Sequence, residues 1–373
     1  MSQCQLAVAR NSSWRSIAED LVRQLGPAPS CFNLAFLYAT DTLAADLDKV
    51  LSYLQEHTSI LHWVGTVGIG LCAGKVEIYG EPAVAVLLTE FPEDQFRVFE
   101  FGPMGIEDFL QTDTIWANTV ISPFAVLHGD PRAPETPHIL EQMSEHFPDG
   151  YWVGGLSSSQ SNYVQIADQL SSATVSGVLF RDAHNIHVSM TQGCTPIGPR
   201  HRITACDRNF IYKIDDQPAL DVFKQDIGEV LAKDLRNVAG FIFAGLPTLA
   251  DHPHDYKVRN IIGIDPNSQA LAIGDLTSLG QTIQFCKRDS QSAREDHQRT
   301  LLKLKERLGR KTIRGGLYFT CLGRGRSLFG ENSMELQLIF DALGEFPLAG
   351  FFANGEIARQ EIYGYTGVLT LFT

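Results

Sequence analysis

The sequence predicts an α+β protein of mixed, layered sheets with outer helices, arranged as two lobes. Three observations carry this. A strand–helix–strand–strand unit occurs three times, its strands are short continuous apolar runs, and 373 residues exceed what one hydrophobic core usually holds.

The first unit begins with FNLAFLY at 32–38, read as a buried strand. Thr40, Asp41 and Thr42 can cap the helix that follows, with Leu43, Leu47, Val50, Leu51 and Leu54 on one face. HWVGTVGIG at 62–70 is a strand entering glycines, and AVAVLLT at 83–89 closes the unit. The second unit repeats the order: FAVLH at 124–128, a helix opened by Thr136-Pro137, YWVGG at 151–155 and VSGVLF at 175–180. The third has GLYFT at 316–320. Its helix carries Asn332 and Glu335 in capping-box spacing, with Met334, Leu338, Ile339 and Leu343 on its apolar side. LAGFF at 348–352 and YTGVLTLF at 365–372 complete it. Phe36, Val126 and Tyr318 mark the three first strands, and Val64, Val153 and Gly350 the second ones.

Between the second and third units lies an insertion. A strand at 185–190 leads into GCTPIGP; ITA and FIYKI flank Asp207-Arg208-Asn209 as a hairpin. Pro218 opens a helix with Leu220, Phe223, Ile227, Val230 and Leu231. Strands follow at 240–244, 259–264, 270–274 and 281–286, then a helix with Ser292 and Glu295 as capping box. The expected domains are 1–190, holding two units, and 191–373, holding the insertion and the third unit.

A net charge of -13 argues against nucleic acid as a main partner, since a phosphate backbone needs a basic footprint. The N-terminus lacks the apolar core of a signal peptide, and no apolar run is long enough for a membrane span. The seven cysteines are scattered without a CxxC pair, which suits reduced thiols and a cytoplasmic location.

Two clusters can carry binding. The first, Cys321, Gly323, Arg324, Gly325 and Arg326, follows a strand; glycines let a backbone approach a ligand, and arginines grip a carboxylate or phosphate. The alternative is a solvated turn whose arginines pair with surface acids. The second, Asn354, Gly355 and Glu356, can read an amine or amide, or be a plain turn with Glu356 solvated. If the third unit is real, both loops share one sheet edge, the usual place for a site. Thr195, in a loop stiffened by Pro196, is a further candidate. GTVGIG at 65–70 and GLSSS at 155–159 fit neither a dinucleotide loop nor a nucleophile elbow, and tight turns explain them better. The pairs His184/His187 and His252/His254 lack a convincing third metal ligand.

In these segments the chain resembles the FIST family, with its N-terminal and C-terminal domains. HWVGTVGIG, EPAVAVLL, YWVGGLSSS, TQGCTPIGPRHRIT, CLGRGRSLFG and GFFANGEI…GYTGVLTLF carry the likeness over almost the whole chain. The resemblance implies an intracellular sensory module that binds a small ligand, an amino acid or another small anionic metabolite. It places the family's C-terminal motifs at Cys321, Gly323, Arg324, Gly325, Asn354, Gly355 and Glu356. No kinase, cyclase, receiver or F-box segment accompanies them here, so signalling is expected to pass to a separate protein. The competing readings are an enzyme using Cys321, a protein-interaction scaffold, and a haem-based gas sensor with His187 or His201 as axial ligand. The sequence names no cofactor.

Overall fold

A computed structural model describes residues 4–26, 31–232, 240–248 and 256–373, leaving aside the side chains of 229–232. His252 and His254 therefore lie outside the described residues, as do the side chains of Val230 and Leu231. The chain divides into two compact units. One comprises Met1–Thr191, Gln298–Ile362 and Thr366–Thr373; the other comprises Gln192–His297 and Tyr363–Tyr365. All three repeats thus fall in the same unit, save Tyr363 at the end of the third hairpin and the two residues after it, and the insertion forms the other. A cut at residue 190 would instead have left the third repeat with the insertion.

Each repeat has a first strand, a helix, a second strand, a short hairpin and a last strand. In the first repeat these are Leu34–Thr40, Leu47–His57, His62–Gly68, Gly70–Ala73 with Val76–Tyr79, and Ala83–Thr89. In the second they are Phe124–Gly129, Thr136–His146, Tyr151–Leu156, Gln165–Ala167 with Gln169–Ser171, and Val175–Phe180. In the third they are Gly315–Cys321, Met334–Leu343, Leu348–Ala353, Glu356–Arg359 with Glu361–Tyr363, and Thr366–Phe372. First and second strands pair in parallel across the helical crossover, while the last strand returns antiparallel beside the first. An edge strand completes each sheet: Cys4–Arg10, Phe96–Phe101 or Ile186–Gln192.

The hairpins are exchanged. The second repeat's hairpin pairs with the first repeat's second strand, and the third repeat's hairpin pairs with the second's. The first repeat's hairpin pairs with the third repeat's second strand. The result is three six-stranded sheets of identical order, linked in a ring.

Gly65, Gly154 and Gly350 hold the parallel pairs together. A Cβ on them would lie 1.8, 1.9 and 1.8 Å from the carbonyl oxygens of Leu37, Leu127 and Tyr318, so only glycine fits the approach. Gly65 and Gly154 are therefore strand residues and not the turn residues expected. Aligning these glycines makes Leu37, Leu127 and Tyr318 equivalent, which shifts the expected markers Phe36 and Val126 by one residue relative to Tyr318.

The helix faces follow from periodicity. Leu43, Leu47, Val50, Leu51 and Leu54 pack with Leu37 and Trp63, and each such buried side chain is worth about 1.5–3 kcal/mol relative to exposure. The first helix starts at Leu47, after a 3-10 turn at Asp41–Leu43. In the third helix the buried stripe is Glu335, Leu336, Ile339 and Phe340, a face rotated from the expected one. Ser333, not Asn332, takes the N-cap position there. The long helix Ser290–Leu308 is held at its start by Asp289, whose Oδ1 accepts the Ser292 N–H at 2.8 Å; the Ser292–Glu295 capping box does not form.

In the second unit, strands His201–Asp207 and Phe210–Ile214 form the expected hairpin about Arg208–Asn209. They continue through Ala270–Ile273, Tyr256–Asp265, Ile242–Pro247 and Thr282–Lys287, which returns to His201–Asp207. The sheet thereby closes in a barrel-like ring. Helix Ala219–Ala232 buries Leu220, Phe223 and Ile227 with Ile211 and Phe285. No helix among the described residues is long and apolar enough to cross a membrane.

Candidate functional site

Directly opposed residues share a sheet face, so the register can be read as rows. The row through the first sheet is Ala85–Tyr38–Thr66–Gln165. In the second it is Ser176–His128–Gly155–Glu356, and in the third Val368–Phe319–Phe351–Leu71. Their neighbours Leu37, Leu127, Ile166 and Ile357 pack in the cores that hold the helices, so the rows face the opposite way, toward one another. Tyr38 lies 5.6 Å from His128, 6.2 Å from Phe319 and 5.3 Å from Phe351, ring centre to ring centre. The Tyr38 hydroxyl donates to or accepts from His128 Nε2 at 3.2 Å. Burial pushes the His128 pKa down to about 3, so the ring is neutral.

Four buried polar atoms in these rows have no hydrogen-bond partner among the described residues: Gln165 Oε1, His128 Nδ1, Ser176 Oγ and Glu356 Oε1. Unpaired buried polar atoms are rare, because each costs about 1–3 kcal/mol. Gln165 and Glu356 occupy the same position of their exchanged hairpins, and Leu71 occupies it in the first repeat's hairpin. Near each hairpin, the end of a first strand meets the start of a last strand. We call this meeting place a junction.

At the third-repeat junction, Leu322 N–H bonds the carbonyl of Ala353 at 3.1 Å, so the loops after Cys321 and Ala353 leave the same sheet edge side by side. This is the shared edge expected from sequence. Glu356 is fully buried. Its Oε2 accepts the Thr366 N–H at 3.0 Å and the Thr366 hydroxyl at 2.7 Å. Burial pushes its pKa up to about 8, against the opposing pull of Thr366, the Arg324 charge and the nearby Cys321 thiol. Of the two alternatives read from the sequence, the plain turn with a solvated Glu356 is the one this burial excludes. Cys321 is half-buried, and its Sγ accepts the Gly323 N–H at 3.5 Å.

Arg324 has a different role from the one its neighbours suggested. It is buried, and its Nε and Nη2 donate to Glu335 Oε1 at 2.8 and 2.7 Å. Nη2 also donates to Thr191 Oγ1 at 2.9 Å. Glu335 Oε1 accepts the Tyr318 and Thr320 hydroxyls as well, and its Oε2 accepts the Gly325 N–H at 2.7 Å. Burial opposes the Arg324 charge, but Glu335 outweighs it and the guanidinium pKa rises. The charge that looked available for an anionic ligand is therefore met inside the protein.

Gly325 has φ 52 and packs beneath the Tyr79 hydroxyl, where a Cβ would not fit. Arg326 is exposed and lies 4.5 Å over the Tyr79 ring. Tyr79 donates to Glu77 Oε2 at 2.8 Å, and burial pushes the Glu77 pKa up to about 7. Asn354 is exposed; its N–H donates to the carbonyl of Leu156 at 3.0 Å. The Gly355 carbonyl accepts the Leu156 N–H at 2.8 Å. Thr195 belongs to the second unit, in a two-residue strand paired with Lys287 and Cys286. Both ring nitrogens of His201 are engaged, by Asp215 at 2.7 Å and Asp226 at 2.9 Å, which leaves none for an axial bond to haem iron. His187 Nε2 faces Lys311 Nζ at 3.2 Å. Among the described residues no group of three His, Cys, Asp or Glu side chains is placed to hold a metal.

Sequence reasoning missed Thr366 and Gln165, and read Glu335 only as a capping-box acid, Tyr318 only as a strand marker and Thr191 only as part of a polar loop. One signal was present for Glu335: it stands four residues before Ile339, on what proves to be the buried face. An acid there needs a buried cation, and Arg324 was the nearest candidate.

The FIST N domain model matches residues 33–217 and the FIST C domain model residues 219–359. The chain belongs to the FIST family, whose domains are sensory modules for small molecules. It is similar to a protein of Mycobacterium tuberculosis described as uncharacterized, with 30% identity over 353 residues covering 91% of each chain. It is also similar to an uncharacterized protein of Mycobacterium bovis, 29% identical over 383 aligned positions, covering 99% of this chain and 97% of the relative.

Proposed function

We propose that this protein is a sensory module for a small amine-bearing metabolite such as an amino acid, bound at the third-repeat junction by Glu356, with Cys321, Gly323, Asn354 and Gly355 at its rim. One observation carries the reading: Glu356 is fully buried, yet its Oε1 has no partner among the described residues. A ligand ammonium supplies the missing hydrogen bond and the missing countercharge together. The glycines at 323 and 355 keep the backbone open beside it. Arg324 supports the loop by holding Glu335, and its charge biases Glu356 from nearby. We propose further that the bound state is read by a separate signalling protein.

The test is calorimetric titration of the full chain with free amino acids, their N-acetyl derivatives and dicarboxylates. Free amines bind, and the other two classes do not. Because Glu356 is protonated below about pH 8, binding an ammonium releases a proton, and affinity rises toward tenfold per pH unit between pH 6 and 8. Glu356→Gln loses both the binding and the pH slope. Dicarboxylates binding as well as free amines, unchanged by Glu356→Gln, would end the amine reading. The Cys321 thiol beside the same carboxyl carries a second reading, a thiol-dependent enzyme. Cys321→Ser, at the rim, weakens amine binding without abolishing it under the first reading and removes all turnover under the second.

A further inference from the structure

We propose an oxyanion-binding pocket in the second unit, lined by Arg200, Arg202 and Thr282, that takes the phosphate group of a small phosphate monoester. It stands apart from the Glu356 reading: the two sites share no residue, and their ligands carry opposite charge.

Register brings the groups together. Arg200, His201 and Arg202 stand where the PIGPRHRIT segment enters the strand His201–Asp207. Side chains alternate along a strand, so Arg202 lies on the face opposite His201. Arg202 is directly opposed to Thr282 of the neighbouring strand Thr282–Lys287. Opposed residues share a face, with Cβ atoms about 4.5–5.5 Å apart. The other edge of that strand pairs with Ile242–Pro247, where Gly245 faces Gln284, and the same register brings Pro247 level with Thr282. Arg202, Thr282 and Pro247 thus form one row over three adjacent strands. A cavity of about 430 Å³ opens at this row, and Arg200, His201 and Asp215 complete its lining.

The acids beside it are already engaged. Asp215 Oδ1 accepts the Arg202 N–H at 2.9 Å, and its Oδ2 meets His201 Nδ1 at 2.7 Å. Asp226 Oδ2, on helix Ala219–Ala232, meets His201 Nε2 at 2.9 Å. Ionised carboxylates only accept, so both ring nitrogens carry hydrogen and His201 is an imidazolium. Burial alone would lower its pKa; the two carboxylates outweigh burial and raise it. Gly198 closes over Asp226 from the other side, where a Cβ would lie 2.4 Å from Oδ2. Arg202 keeps its charge for the cavity. Asp215 feels that charge, but the Arg202 guanidinium makes no ion pair or side-chain hydrogen bond with a described residue. Its Nη1 lies beside Gly280, 3.9 Å from the place of a Cβ.

A guanidinium fork opposite a hydroxyl, with a second arginine in the same wall, suits a phosphate dianion. The volume falls within the range of about 300–1,000 Å³ for small-molecule sites and exceeds what inorganic phosphate fills. Pro247 offers an apolar wall to the organic remainder of an ester. The chain as a whole carries a net charge of -13, so a locally positive cavity also concentrates anions where the rest of the surface repels them.

The probe is methyl phosphate on the full chain at about pH 7.5, where a monoester with a second pKa near 6 is mostly dianionic, with sodium chloride at equal ionic strength as control. The Arg202 Nε–H signal, assigned as the one lost in Arg202→Gln, shifts saturably with methyl phosphate. Acetate binds about tenfold more weakly. In phosphorus NMR of the ester, Arg202→Gln weakens binding about tenfold, the loss of one charge-assisted contact, and Arg202→Lys recovers part of it because the charge returns without the fork. If the Arg202 signal stays fixed, or the phosphorus titration is the same in Arg202→Gln, the pocket is overturned. If acetate competes as well as methyl phosphate, the phosphate assignment fails. Phosphate binding without amine binding leaves this pocket standing and removes the Glu356 reading; amine binding without phosphate binding does the reverse.

Discussion

The first and third junctions are built from the same backbone and end in opposite states. In the first, Thr40 and Leu71 close the space with a short hydroxyl and an apolar side chain, and Ala83 N–H finds its acceptor there. In the third, the equivalent positions hold Cys321 and Glu356, and one buried carboxyl oxygen has no partner among the described residues. A fold that can satisfy this place with a leucine carries a glutamate instead. The cost falls on stability.

Three experiments break or sharpen that contrast. The largest effect belongs to the clamp that supports the third junction. Arg324→Ala leaves Glu335 buried without its cation and costs about 3–5 kcal/mol in urea unfolding. A loss under about 1 kcal/mol would show that the pair is not the buried clamp described. The next effect is a pH dependence. The folded Glu356 pKa of about 8 lies above its unfolded value, so the folded chain keeps a proton that the unfolded chain gives up. Its contribution is most favourable at acid pH and is lost as pH rises from the ordinary carboxyl range toward 8, by up to about 4 kcal/mol. Glu356→Gln flattens that part of the stability profile; a profile identical to wild type would remove the group from the argument. Glu77, pushed up to about 7, adds a fall of the same sign that survives in the variant. The smallest effect lies in the first junction: Thr40→Ala strands the Ala83 N–H and costs about 1–2 kcal/mol, with no change in the pH profile. Any pH-dependent change there would mean the two junctions are coupled.

Much of the fold was legible because the signals were local. AVAVLLT and the LAFLY of the first strand are continuous apolar runs, and they are buried on both faces of their sheets. The WVG copies mark the glycines where parallel backbones meet. The hairpins were not legible, since Gly70–Ala73 and Gln165–Ala167 are too short to show a period and their partners lie in another repeat. The site was half legible. Glycines and charges after two successive strands picked out two loops that the structure brings to one sheet edge, with Cys321 and Glu356 near each other there. What the sequence could not say was which charges pair with each other. Glu335 stands where a capping box would put it, yet it turns inward to Arg324. That choice depends on burial, which no local spacing reports. Thr366 gave no signal, because a threonine that opens an apolar strand looks like any β-former.

The exchanged hairpins have a consequence for how the protein is made. Leu71 pairs with Phe351, so the hairpin near the start of the chain waits for a partner about 280 residues later. At roughly 5–20 residues per second of synthesis, the wait is about 15–55 s. Through that interval the hairpin and the first sheet offer unpaired strand edges to whatever else is nearby, including another nascent copy. A second ribosome on the same message supplies the same third repeat in trans, and a domain-swapped dimer is the natural error.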